Sequence, residues 1–154
     1  MVELLHPASP SLWETARTLV REYAASLNVS LDFQNFDDEL LHFEQEYAPP
    51  GGTFLLAQQN DRFCACGAFR RFSEIDCEMK RLYVRPSGRK LGLGRQIAVA
   101  LIAEAKDFGY KRMLLDTLPT MQSAQSLYKS LGFEATEPYR FNPVAGTSFL
   151  KLEL

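Results

Sequence analysis

Between Val84 and Ile97 the chain reads VRPSGRKLGLGRQI, which sets four cations and three glycines within fourteen residues. Glycine lets a backbone come close to a ligand and a cation neutralises an anion, so the two types together point to phosphate chemistry. The stretch follows CEMKRLYV, which reads as a strand, and opens LGRQIAVALIAEAKDFGY, which is apolar at helical spacing. A Gly-rich loop feeding a helix N-terminus offers unpaired N–H groups and the positive end of the helix dipole. Two familiar phosphate motifs do not fit. There is no G-x-x-x-x-G-K-[ST], and a dinucleotide fingerprint built on Gly92 and Gly94 needs a third glycine where Ile97 stands. From Met79 to Ala103 there is no acidic residue, while Lys80, Arg81, Arg85, Arg89, Lys90 and Arg95 fall inside. Repelling cations gather at low cost where an anion neutralises them, which favours an anion site over an ordinary glycine turn with solvated arginines.

The elements that must position this loop are those of one domain spanning residues 1–154, with 46% hydrophobic and 12% aromatic residues to build a core. VELLH reads as a first strand. A helix is expected over Ser11–Leu27, where Ser11 and Glu14 have capping-box spacing. FDDELLHFEQEY reads as a second helix, capped near Asp37 and stopped by PPGG at Pro49 to Gly52. TFLLAQQ, RFCACGAFRRF and CEMKRLYV read as three antiparallel strands. After the long helix, ended by Gly109, come a short buried strand, RMLLDT, a further helix closed by Gly132, and a last alternating strand, TSFLKLEL. The fold class expected is α/β or α+β.

Outside the basic run the chain carries eleven basic against nineteen acidic residues, and the net charge is −2, which argues against a nucleic-acid partner. Three cysteines, Cys64, Cys66 and Cys77, and an N-terminus without a basic-then-apolar pattern suggest a reduced, cytoplasmic setting. The longest apolar run, Ile97–Ala103, is far short of the roughly 20 residues that span a bilayer, so no membrane partner is expected. Cys64 and Cys66 share a strand face, yet His6 and His42 are the sole histidines, and no metal is expected. DFG at Asp107–Gly109 closes a helix and lacks the other kinase motifs.

RKLGLG, Arg89 to Gly94, resembles the R/Q-x-x-G-x-G/A signature of the GNAT superfamily of acyl-CoA-dependent N-acetyltransferases. AQSLYKSLGF, Ala124 to Phe133, is similar to that superfamily's later helix motif, and the likeness in element order covers nearly the whole chain. One departure is Met121, where an Asn often stands three residues before the motif alanine. The resemblance implies a mixed, mostly antiparallel sheet, splayed between its fourth and fifth strands and flanked by about four helices, with acetyl-CoA wedged in the opening. It implies that the backbone of Leu82, Tyr83 and Val84 pairs with the pantetheine arm. Arg89, Lys90, Leu91, Gly92, Leu93, Gly94 and Arg95 would meet the pyrophosphate, and Ala124 and Tyr128 complete the cofactor contacts.

Acetyl transfer to an amine needs a neutral nucleophile, an oxyanion donor and a proton for the departing thiolate. By resemblance, Tyr128 is the proton donor and Glu78 the base, acting directly or through water. Glu78 lies an even number of residues from Lys80, Leu82 and Val84, so all four are expected on one face of the strand. The plainer alternatives are apolar packing for Tyr128 and a cross-strand ion pair for Glu78. The segment between the first two helices and the C-terminal hairpin usually line the acceptor pocket in this superfamily, which singles out Asp32, Phe33, Phe36 and Asn142. Asp37, Asp38 and Glu39 could attract a cationic amine, though such a run more often matches a helix dipole. The expected function is transfer of an acetyl group to a primary amine of a small molecule or peptide. The rival is a non-catalytic acyl-CoA-binding regulatory module. A second copy of the chain stays open as a partner.

Overall fold

The structure, a computed structural model, describes residues 1–27, 30 and 35–154. The chain opens with β1 (Val2–Leu5) and α1 (Pro10–Ser26), and α2 (Phe36–Leu41) and α3 (Phe43–Tyr47) follow. Three strands come next, β2 (Thr53–Gln59), β3 (Arg62–Arg71) and β4 (Asp76–Val84), and then a 3-10 turn at Pro86–Gly88. The second half holds α4 (Leu93–Asp107), β5 (Arg112–Thr117), α5 (Gln122–Ser130), β6 (Glu134–Ala135) and β7 (Ser148–Glu153). The strands form one sheet in the order β1-β2-β3-β4-β5-β7-β6, antiparallel except for β4 beside β5.

Two apolar clusters sandwich this sheet. On one face α1 buries Trp13, Ala16, Leu19 and Val20 against Phe43, Tyr47, Phe54 and Leu56. On the other, Leu93, Ile97, Leu101 and Ala105 of α4 pack with Tyr128 and Phe133 onto Met79, Met113 and Leu115. The expected capping box does not start α1. Ser9 caps it instead, its hydroxyl accepting from the Leu12 N–H at 3.2 Å, with Pro10 in the first turn where no N–H is needed. The expected second helix is two short ones, because His42 leaves helical geometry at φ −111°, ψ 35°. Both predicted terminators, Gly109 and Gly132, have positive φ. The three cysteines are free and buried. Among the described residues no helix is long and apolar enough to cross a membrane.

Two features of β4 build the site. It pairs with β5 only at Asp76–Glu78, so from Met79 onward the edge that faced β5 is left open. It also carries a bulge: Cys66 faces Tyr83 and Ala68 faces Lys80, which leaves Gly67 opposite both Arg81 and Leu82, and Arg81 is left-handed at φ 62°. The extra residue reverses the alternation. Cys77, Met79, Leu82 and Val84 pack on the α4 side, whereas Tyr83 packs on the α1 side. The expectation that Glu78, Lys80, Leu82 and Val84 share one face is therefore corrected; the bulge separates the first two from the last two. Gly67 is the residue this geometry requires. A Cβ there would lie 2.6 Å from Ile97 Cγ2, so a side chain would push α4 off the bulge.

Candidate active site

Where β4 and β5 part, a cleft of about 1080 Å³ opens. One wall is the end of β4, Leu82 to Val84; the floor of one end is the loop from Gly88 to Gly94; the facing wall is the start of α5, Met121 to Leu127. The end of α1, at Tyr23 and Leu27, closes a third side. The loop is shaped by two left-handed residues, Lys90 (φ 68°) and Gly92 (φ 72°), the latter capping α4. For glycine this conformation is ordinary, whereas Lys90 holds it against steric cost, as residues in ligand-facing loops often do. The first N–H of α4 to join the helix ladder is that of Gln96, which donates to Gly92 O at 3.1 Å, so those of Leu93, Gly94 and Arg95 lie ahead of it.

Of the residues singled out for the cofactor, Leu82, Tyr83, Val84, Arg89, Lys90, Gly92, Leu93, Gly94 and Ala124 all line this cleft. Leu91 turns its side chain outward, and Arg95 reaches away to the Ser130 hydroxyl at 2.9 Å. The basic run is less uniform than its composition suggests. Arg81 is bidentate to Glu39 at 2.9 and 2.8 Å, and Arg85 is bidentate to Glu22 at 2.9 and 2.6 Å. Those two cations thus answer acids elsewhere in the fold, leaving Arg89 and Lys90 as the basic side chains that line the cleft.

A smaller chamber of about 30 Å³ adjoins the cleft at the point of parting, and Tyr23, Leu82 and Met121 border both. Tyr128 lines the chamber rather than the cleft, stacked edge-on to Phe133 at 5.6 Å. Burial pushes its phenol well above the ordinary value. Lys80, Asp116 and Thr117 line the same chamber and were not singled out from sequence. Asp116 and Thr117 were legible in principle, since they end a parallel strand, and ligands of α/β sheets gather at carboxyl ends.

Glu78 sits deeper, fully buried, on β4. It accepts from the Tyr139 hydroxyl at 2.7 Å, from Arg140 Nη2 at 2.7 Å and from Arg70 Nε at 3.4 Å. Arg70 continues the network to Glu46 and, at 3.7 Å, to Glu39. Burial alone would raise the Glu39 carboxyl, but the Arg81 guanidinium, helped by Lys80 and Arg70, takes it below its ordinary value. Tyr139 and Arg140, which reach Glu78 from more than sixty residues away, had no signal in the sequence. Of the proposed acceptor-lining residues, Phe36 lies under the Arg81 guanidinium at 5.2 Å. Asn142 donates to Asp116 at 3.1 Å and accepts from the Val144 N–H at 3.0 Å. Asp32 and Phe33 lie outside the described residues.

The model of the acetyltransferase (GNAT) family matches residues 13–133. An uncharacterized N-acetyltransferase of Schizosaccharomyces pombe is 42% identical over 140 residues, covering 90% of this chain and 86% of its own. A protein of Azospirillum brasilense described as IAA acetyltransferase is 29% identical over 127 residues, covering 82% and 76%. Among solved structures, a GNAT-family acetyltransferase of Staphylococcus aureus superposes with a TM-score of 0.81 at 20% identity, over 99% of both chains. The PaiA N-acetyltransferase of Thermoplasma acidophilum, solved in complex with coenzyme A, superposes at 0.74 with 14% identity, over 100% of this chain and 99% of its own. Loop, splayed sheet and the span of the family match agree: the chain belongs to the GNAT family of acetyltransferases.

Proposed function

We propose that the chain transfers an acetyl group from acetyl-CoA to a primary amine of a small molecule or peptide, by direct attack within a ternary complex. The observation that carries this reading is the cleft at the parting of β4 and β5, with an anion-seeking helix N-terminus at one end and a polar chamber holding Tyr128 at the other. Coenzyme A in the Thermoplasma neighbour supports the choice of ligand. In this reading the N–H groups of Lys90 to Arg95, with the side chains of Arg89 and Lys90, hold the pyrophosphate. The open edge of β4 offers unpaired backbone groups to the extended pantetheine arm, as it would to another strand.

Tyr128 supplies the proton that the departing thiolate needs. Its raised pKa keeps the hydroxyl protonated across the working range, which a proton donor requires. Bulging frees backbone N–H groups near Leu82 from the ladder, and one of them serves the carbonyl oxygen as charge develops. Glu78 fixes the acceptor side through Arg70, Arg140 and Tyr139; to act as base it must first give up one of these donors.

Calorimetry and thermal melting test the reading. Acetyl-CoA at about 100 times its Kd should stabilise the protein by roughly 2.7 kcal/mol, and desulfo-CoA nearly as much, because the loop reads pyrophosphate rather than thiol. Thiol release over a panel of primary amines identifies the acceptor. Absence of any shift with either ligand at millimolar concentration would falsify the assignment.

A further inference from the structure

We propose that Asp116 and Thr117 form the seat of the acceptor nitrogen, each accepting one of its N–H groups, and that this pair restricts the enzyme to primary amines. The inference rests on the N-acetyltransferase reading and deepens it. β5 pairs with β4 no farther than Leu114, so Leu115 to Thr117 run on beside a gap in the sheet while β7 continues to pair with their other edge. Asp116 and Thr117 are consecutive, and successive side chains of a strand leave on opposite faces. Both nonetheless line the chamber, because it lies in the gap itself, with Tyr23 of α1 and Tyr128 of α5 also on its walls. A nitrogen there is held from two directions.

The Thr117 hydroxyl is the group that calls for a guest. Thr117 is 4% exposed, and its hydroxyl has no hydrogen-bond partner among the described residues. A buried hydroxyl left so is costly unless something polar comes to it. Asp116 brings the charge. Asn142 donates to its Oδ2 at 3.1 Å and is itself fixed by accepting from the Val144 N–H, which orients the carboxylate; its second oxygen is an acceptor too. Glu78 and Glu39 lie outside the chamber's lining, each among guanidinium donors. Two cations border the chamber as well. Arg81 is bidentate to Glu39, and burial, with Arg81 and Arg70 adding their charge, brings the Lys80 ammonium down to about 7. Above that pH the charge left at the walls is that of Asp116, which suits a cationic guest.

The chamber has room for about one water or one amino group, and it shares Tyr23, Leu82 and Met121 with the cleft. A primary amine that has lost its extra proton keeps two N–H groups. With one donated to Asp116 and the other to Thr117, the carbon substituent and the lone pair are left on the open side, toward the free edge of β4. A secondary amine has one N–H to give and a second carbon for which the chamber has no room, so one wall is left unpaired.

The test uses wild type, Asp116→Asn and Thr117→Val, at a pH above the Lys80 midpoint. Desulfo-CoA affinity by calorimetry should be the same in all three, since neither residue lines the cleft. With desulfo-CoA bound and aspartate carboxyls isotope-labelled for NMR, one resonance absent from Asp116→Asn should shift saturably with methylammonium. It should stay still with tetramethylammonium, which has the charge but no N–H. No shift, or the same shift with both ions, would overturn the proposal. In thiol release from acetyl-CoA, Asp116→Asn should raise the methylamine KM about ten- to hundredfold and Thr117→Val about two- to tenfold, with kcat less affected. A loss of kcat at unchanged KM would mean a role other than holding the amine and overturn the proposal, as would equal turnover of dimethylamine by wild type. Thr117→Val should melt no lower than wild type, because it removes an unpartnered hydroxyl at similar volume, and a lower melt would show the hydroxyl already engaged and count as refutation. Where methylamine releases no thiol, the ion titration decides alone. If wild type binds neither acetyl-CoA nor desulfo-CoA, the acetyltransferase reading itself fails. Binding without the methylammonium shift sinks the seat alone.

Discussion

The two ends of the site are charged in different ways. At the end proposed for the cofactor, the loop from Gly88 to Gly94 is continuous in sequence and presents the first N–H groups of α4, with Arg89 and Lys90 exposed beside it. At the proposed acceptor end, Glu78, Arg70, Arg140, Tyr139, Glu39 and Arg81 come from β4, β3, α2 and the segment before β7, and they pair with one another, Glu78, Glu39 and Arg81 buried and the other three half-buried. A backbone device leaves a short linear motif, whereas a network of buried pairs is made only by folding. The first should be sensitive to glycine substitution with little loss of stability. The second should be the reverse.

The largest effect should separate chemistry from both. Tyr128→Phe keeps the ring against Phe133 and removes only the hydroxyl, so turnover should fall about 10²- to 10⁴-fold where proton transfer limits the rate. Desulfo-CoA affinity by calorimetry should stay near wild type. Unchanged turnover of an established acceptor, with chemistry rate-limiting, would remove Tyr128 from the scheme.

At the acceptor end, Glu39→Gln leaves the Arg81 guanidinium buried without its counter-charge. Denaturant unfolding should report a loss of about 3–5 kcal/mol, with desulfo-CoA affinity in the folded fraction unaltered. A loss of cofactor affinity as large as the loss of stability would break the distinction between the two ends.

Lys80→Met should change stability in a pH-dependent way. Its folded pKa of about 7 lies below the unfolded value, so between the two the unfolded chain binds more protons and wild-type stability rises with pH. The cost of burying the ammonium is complete below 7 and fades toward the ordinary lysine range near 10.4. Lys80→Met should therefore stabilise most at pH 6 and least at pH 9.5, and a flat difference between the two melting series would contradict it.

The smallest effect belongs to the loop. An added Cβ at Gly94 meets only Leu127 and Val84, each at 3.7 Å, so Gly94→Val should fold and fill the floor of the cleft. We expect desulfo-CoA affinity to drop about tenfold or more, near 1.4 kcal/mol, with the melting temperature little moved. Unchanged affinity in the folded variant would count against pyrophosphate binding at this loop.

Legibility in sequence follows the same division. α4, β5, α5 and β7 announce themselves because each is a continuous pattern with its own stop, Gly109 and Gly132 included. The loop's share of the cleft lining, Gly88 to Gly94, was legible for the same reason, whereas Leu82 to Val84 came from the family resemblance alone. The bulge was not. It depends on Gly67 lying against Ile97 of α4, and no alternation within CEMKRLYV records that contact. Ser9 and Ser11 compete for one cap two residues apart, and the choice turns on which lets Pro10 sit in the first turn. Arg70 meets Glu78 as the cross-strand ion pair that the sequence offered as the plainer alternative, but Tyr139 and Arg140 come from a loop whose local sequence carries no periodicity, so their part of the network stayed invisible.

The reversed alternation along β4 has a consequence for how the protein can change over time. Substitutions at Glu78 are felt among Arg70, Arg140 and Tyr139, and those at Leu82 or Val84 are felt in the α4 cluster, because Arg81 is interposed as an odd residue. A lineage can therefore alter the Glu78 half of the strand and keep the Leu82–Val84 half, in separate single steps. Loss of one residue at position 81 would undo that independence, since restoring simple alternation would turn Leu82 and Val84 away from their cluster together.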